Sequence, residues 1–270
     1  MASDIVITSD STTDLSPELR ERYNISVAPL GITLGDKVYT DGVDITPDDI
    51  YAHHAKTGEL PKTTATNVGD CLDFFKKFTD EGKTVIHFTI SSDMSSTYNN
   101  ACIAASELEN VYVIDTKNLS TGGGLLVVAA AEMLRDGLSA EEIVRKSTEL
   151  IPCVDASFVI DSLEYLYKGG RCSALAMFGA NLLKLKPCIQ VKNGKMDVSK
   201  KYRGKFEDVL KQYITEKAED YSDIVLDRVF ITHAGCDPEV AKNAAELAKK
   251  LAPFKEVFIT RAGCTVSSHC

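Results

Sequence analysis

Five hydroxyl side chains, Ser91, Ser92, Ser95, Ser96 and Thr97, sit directly behind the apolar run Val85-Ile86-His87-Phe88-Thr89. That run reads as a short buried strand, and in an open α/β sheet ligands bind in the crevice outside the carboxyl ends of the strands. Neutral donors and acceptors at that place can hold a polar head group. With a base beside one serine they can also attack one, which requires a histidine or its equivalent and an oxyanion site. His87 lies inside the predicted strand and reads as packed core, and His53 and His54 lie on an exposed, acid-rich helix. His233 and His269 follow a strand or end the chain and could reach a crevice. A serine hydrolase or esterase using Ser95 with His269 or His233 is therefore one reading, although the sequence has no G-x-S-x-G elbow.

Similar hydroxyl-rich stretches recur at 9–14, 61–67 and 115–124. Each alone is explained by turns and helix caps, but several of them gathered along one sheet edge would form a site. Ser120-Thr121-Gly122-Gly123-Gly124 reads equally as an anion-friendly helix start or as close strand–helix packing. Asp41, Asp44, Asp48 and Asp49 do not match a spaced Ca²⁺ loop and read as a solvated turn and a helix N-terminus. No metal site is expected.

The elements that must position these residues alternate through the first half. Strands are predicted over 4–8, 25–34, 37–44, 85–89 and 111–115, with helices from Pro17, from Pro47, and over 68–79, 98–108 and 125–135. The βαβα order implies a parallel sheet with right-handed crossovers. After the helix over 140–150 the texture changes. Strands at 157–160, 188–192 and 195–199 surround the hairpin signal Asn193-Gly194, helices follow over 163–167, 175–185 and 206–218, and 229–260 reads strand–helix–strand. The expected fold is α/β in two domains: a parallel-sheet α/β/α domain over 1–155 and a mixed-sheet α/β domain over 156–270.

Composition sets the outer bounds. A net charge of −9 argues against nucleic acid as a general partner, because duplex binding rests on phosphate neutralisation. Yet residues 168–205 hold ten bases and one acid, leaving the remainder at −18. A segregated basic block suits an anionic ligand or an acidic partner surface, and a regulatory or nucleic-acid-binding module built on it is a third reading. No run of about 18 apolar residues is present to span a membrane, and the N-terminus lacks the pattern of a signal peptide. Eight cysteines without a CxxC read as reduced thiols, so a cytoplasmic location is expected.

Taken together, DSTTDL at 10–15, PKTTATN at 61–67, SSDMSSTYNNA at 91–101 and DTKNLSTGGG at 115–124 resemble the DegV family of bacterial fatty-acid-binding proteins. YKGGR at 167–171, KPCIQVKNGK at 186–195, YRGK at 202–205 and SSH at 267–269 continue the likeness in order along essentially the whole chain. Two departures stand out. The family usually has Ser-Gln-Pro at Thr64-Ala65-Thr66, and it continues past the histidine through Gly-Pro-Gly where this sequence stops at Cys270. The resemblance implies one long-chain fatty acid with its tail buried between the domains, as ligand rather than cofactor. It implies Thr63 and Ser95 bonded to the carboxylate with His269 close by, and Arg171 and Arg203 docking a partner fatty-acid kinase that makes the acyl phosphate for phospholipid metabolism. The chain itself would be a carrier with no catalytic residue. Leu163, Leu166, Leu175, Met177, Phe178, Leu182 and Leu183 could line the tail channel or be ordinary core.

Overall fold

The computed structural model describes residues 4–173, 185–219 and 222–270. The chain opens with β1 (Ile5–Asp10), α1 (Pro17–Arg22), β2 (Ser26–Ala28), β3 (Gly31–Leu34), β4 (Lys37–Thr40), α2 (Pro47–Thr57) and β5 (Lys62–Thr64). It then alternates: α3 (Val68–Thr79), β6 (Thr84–Thr89), α4 (Thr97–Ser106), β7 (Val111–Asp115), α5 (Ser120–Arg135) and α6 (Ala140–Leu150). Several helix starts are written in side chains. Ser16 accepts from the Leu19 amide ahead of Pro17, Thr46 and Asp49 form a reciprocal capping box, and Asn67 accepts from the Asp70 amide. Each satisfies a backbone donor that the first helical turn leaves open.

Strands β2-β1-β6-β7 form a sheet that is parallel throughout. Side chains alternate across it. Val85 and His87 pack toward Phe75 of α3, while Ile86 and Phe88 join Leu126, Val127 and Ile143 of α5 and α6. Both faces are thus covered by helices, as a parallel sheet requires. Phe75 and Phe88 are fully buried, and such rings contribute about 1.5–3 kcal/mol each. His87 is core, with Nδ1 2.9 Å from the Thr8 hydroxyl, and burial pushes its imidazole down to about 3.

The strand predicted over 25–34 is broken at Pro29, which lacks the N–H a ladder needs. Its first part joins the parallel sheet. Its second part, β3, pairs antiparallel with β4 and β5 in a separate sheet ordered β4-β3-β5. Thr63, read from sequence as a loop residue, is the middle of β5 and faces Ile32 across that ladder.

The second half carries β8 (Ser157–Val159), α7 (Glu164–Gly169), β9 (Lys186–Lys192), β10 (Lys195–Tyr202), α8 (Phe206–Ala218), β11 (Arg228–His233), α9 (Pro238–Leu251), β12 (Glu256–Arg261) and α10 (Cys264–Ser267). The expected mixture of strand directions is present as an antiparallel sheet β10-β9-β8 and a parallel pair β11-β12. Asn193 and Gly194 both have positive φ, 51° and 82°, as the hairpin turn between β9 and β10 demands. The helix predicted over 175–185 falls, apart from its last residue, on residues outside the described ones.

Among the described residues the two halves are tied at several places. Ser91 donates to the Gly194 carbonyl at 2.7 Å, so the hairpin tip rests on the loop after β6. Arg228 reaches both carboxylate oxygens of Glu132 at 2.7 and 2.6 Å. The glycines opening α5 are close packing: a Cβ at Gly122 would run into Asn118 and Ala156, and one at Gly124 into the Thr13 carbonyl and Leu15. Among the described residues no helix is long and apolar enough to cross a membrane, and no group of His, Cys, Asp or Glu could hold a metal ion.

Candidate functional site

The segments following β2, β6 and β7 open on one cavity of about 690 Å³, lined in part by Leu30, Ile90, residues 92–96 and Leu119. Its position obeys the carboxyl-end rule for parallel sheets, and its size falls in the ~300–1,000 Å³ range of small-molecule sites. The order β2-β1-β6-β7 reverses between β1 and β6. Asp10 closes that point by accepting the Ile90 amide at 2.7 Å.

The lining divides into two walls of different chemistry. Thr63, Ser95, Asn100 and His269 make a hydroxyl-rich wall, with Arg171 beside His269. Met94, Leu119, Phe158, Leu166 and Met196 make an apolar wall and also belong to one packed cluster with Ile160, Ile189 and Val191.

Three parts of the chain meet in the hydroxyl wall. Strand β5 brings Thr63 to 3.2 Å from His269 Nε2, and α10 delivers His269 at its far end. Asn100 of α4 donates to the Thr66 carbonyl at 2.8 Å, fixing the segment after β5 against the Ser95 loop. Ser95 shares a hydrogen bond with the Thr97 hydroxyl at 2.9 Å and accepts the Thr97 amide at 3.3 Å. Burial, together with the like charge of Arg171, pushes His269 down to about 4, so it is neutral at pH 7. Its Nδ1 is buried with no hydrogen-bond partner among the described residues. A bare acceptor is tolerated there better than an unpaired N–H, which places the proton on Nε2. His269 then donates to Thr63, whose own O–H is left to point at a ligand acceptor.

A family model described as an uncharacterised protein of the DegV family matches residues 4–270. The chain belongs to the DegV family. It is 32% identical over 274 residues to a DegV domain-containing protein of Caldanaerobacter subterraneus subsp. tengcongensis, covering 98% of this chain and 94% of the relative. Among solved structures it resembles a fatty-acid-binding DegV family protein from Thermus thermophilus, with a TM-score of 0.87, 28% identity, and 98% and 95% of the two chains covered. DegV of Bacillus subtilis, described as a fatty acid binding protein, gives 0.85 at 28% identity over 99% and 95%. A stearic acid-binding protein from Eubacterium ventriosum gives 0.83 at 29% identity over 97% and 93%.

In this DegV-family chain the predicted residues Thr63, Ser95, Arg171 and His269 line the same cavity. Arg203 does not; it is exposed just beyond β10. His233 is also absent from the lining, and its Nδ1 accepts the Gly235 amide at 3.2 Å. No histidine among the described residues is bonded to Ser95, so the pair needed for nucleophilic attack is not assembled. Of the tail-channel candidates, Leu166 lines the cavity and Leu163 packs behind it, while residues 175, 177, 178, 182 and 183 lie outside the described ones. Part of the basic block is paired internally: Lys168 with Glu164, Lys186 with Asp161, Lys200 with Glu216.

Sequence reasoning missed Gly169 and Asp41. A Cβ at Gly169 would strike the His269 ring, so this glycine is what admits the imidazole to the wall. Asp41 is not solvated: it is 5% exposed and accepts from Ser11, Cys264 and Thr265. Its position immediately after β4 was the available signal, but nothing in local spacing connects residue 41 to residue 264.

Proposed function

We propose that this protein binds one long-chain fatty acid, with the tail against the apolar wall and the carboxylate against Thr63 and Ser95 beside His269. The observation that carries the reading is the two-walled cavity, whose hydroxyl-rich wall offers neutral donors to a head group and whose other wall is continuous apolar core. Magnitudes favour this division. Roughly 14 buried methylenes at about 0.8 kcal/mol each give on the order of 11 kcal/mol of gross burial, against an association cost of ~4–15 kcal/mol. The tail can therefore supply most of the affinity, and the head group need only be oriented. A carboxylate held by hydroxyls alone keeps an oxygen available as a nucleophile toward a phosphoryl donor.

The protein then acts as a cytoplasmic bacterial carrier rather than an enzyme, presenting the carboxylate to a partner fatty-acid kinase. Arg171 and Arg203, both exposed, are the docking residues in this reading, and complementary charge of that kind chiefly speeds encounter. The two domains divide near residue 155, and the cavity lies where the loop after β6 meets the β9–β10 hairpin. The direct test is mass spectrometry of the purified, denatured protein together with thermal melts in added stearic or oleic acid. Release of one fatty acid per chain and a raised melting temperature are expected. Absence of any lipid with no thermal shift would remove the proposal.

A further inference from the structure

The DSTTD segment and Asp41 line no part of the cavity, yet Asp10, Asp14 and Asp41 are 0%, 6% and 5% exposed. A buried carboxylate is costly unless its oxygens collect donors, so the source of the donors shows what each acid organises. Asp41 collects four: the Cys264 amide at 2.8 Å, the Thr265 amide at 3.1 Å, the Thr265 hydroxyl at 2.6 Å and the Ser11 hydroxyl at 2.9 Å. That Ser11 oxygen in turn accepts the Leu30 amide at 3.1 Å. Asp14 accepts the Gly263 amide at 2.8 Å and the Ser120 hydroxyl at 2.5 Å. Asp10 accepts the Ile90 amide and both donors of Thr12. Leu30, Ile90 and Thr265 all line the cavity, and the turn that Asp41 caps ends two residues before His269.

We propose that Asp41 is the positioning residue of the hydroxyl wall: from outside the cavity it fixes the terminal turn so that His269 meets Thr63, while Asp10 and Asp14 hold the adjoining segments in the same manner. The proposal rests on the carboxylate-binding reading of that wall. It accounts for a motif the ligand contacts leave unused, and it explains how a histidine beyond the last strand is aimed at a threonine on β5.

The test is Asp41→Asn, which keeps the shape but turns an amide N–H₂ toward donors. His269 is followed by imidazole NMR across pH without added lipid, and oleic acid affinity is measured in the wild type, D41N, H269A and the double variant. D41N is expected to move the His269 titration upward toward an ordinary imidazole as the turn loosens. Oleic acid affinity should weaken roughly tenfold, the factor of about one charge-assisted hydrogen bond, and D41N should cost little more in the H269A background. A folded D41N with unchanged His269 titration overturns the proposal, as do losses that multiply fully with H269A. If D41N fails to fold, Ser11→Ala decides: a smaller upward shift supports the proposal, and none overturns it. Should the wild type bind no oleic acid, the fatty-acid reading fails while the titration still decides the positioning role.

Discussion

The hydroxyl wall draws Thr63, Ser95 and His269 from segments far apart in the chain, with one hydrogen bond between Thr63 and His269 and one from Asn100 to the Thr66 carbonyl holding the Ser95 side in place, whereas the apolar wall is one face of a continuous core cluster. The apolar wall is therefore secured by the same packing that stabilises the fold, and its chemistry is tolerant, since volume and apolarity suffice. The hydroxyl wall has no such redundancy. Its geometry depends on three short elements and on the carboxylates behind them. Perturbing the first wall should strike stability and binding together, and perturbing the second should strike binding with little change in stability.

The largest effect is expected from Leu166→Asp. Leu166 is 1% exposed and borders both the cavity and the cluster of Ile160, Ile189 and Met196. An uncompensated buried charge costs about 3–5 kcal/mol, so the urea midpoint should fall sharply and native mass spectrometry should show no retained lipid. Retention of lipid by a destabilised variant would break the link between the two properties and place the tail elsewhere.

That division also explains what was legible in the sequence. The parallel sheet was readable because runs such as Val85–Phe88 announce their own burial, and helix starts were readable because Ser16, Thr46 and Asn67 act on amides within three residues. Asn193-Gly194 fixed its hairpin for the same local reason. What failed was non-local. The break at Pro29 sends β3 into another sheet, and residues 61–67 look like a loop until β3 supplies a ladder for β5. Asp41 looks solvated until the end of the chain returns to it. Spacing did not assemble the site; the order of whole motifs named Thr63, Ser95 and His269 together, and the structure then brought Thr63 and His269 into contact.

A second, smaller effect separates the walls by pH. The folded value of His269 is pushed down to about 4 from the ordinary 6.5. Above pH 6.5 both folded and unfolded chains hold it neutral, and its contribution is fully present. As pH falls from 6.5 to about 4, the unfolded chain takes up a proton that the folded chain refuses, so that contribution is lost. Asp14 runs the other way: burial raises it to about 8, so its contribution is present at low pH and is lost as pH rises through that value. Whole-protein curves mix these slopes, and the difference between wild type and His269→Asn isolates one. The variant should gain about 2–3 kcal/mol on the wild type between pH 6.5 and 4, since each tenfold difference in proton affinity is worth about 1.36 kcal/mol. With fatty acid bound, the adjacent carboxylate favours the imidazolium and that gain should shrink. An unchanged difference in the loaded protein would move the head group away from His269.

The smallest expected effect is the sharpest on geometry. Thr63 and Thr64 are adjacent on β5 and both border the cavity, but successive strand residues point to opposite faces, and only Thr63 is bonded to His269. Thr63→Val keeps the shape and removes the hydroxyl, so it should weaken fatty-acid affinity by about 1 kcal/mol, the net value of one hydrogen bond, or roughly fivefold. Thr64→Val, at an exposed position, should stay within about twofold and should not move the melting temperature appreciably, since surface substitutions usually fall within about 0.5 kcal/mol. Titration calorimetry with one fatty acid checks both. Equal losses from the two variants would mean that the wall acts as a general polar surface, and the selective role given to the Thr63–His269 pair would be lost. A loss confined to Thr63 would show that one strand position, aimed by a turn more than two hundred residues later in the chain, sets where the carboxylate lies.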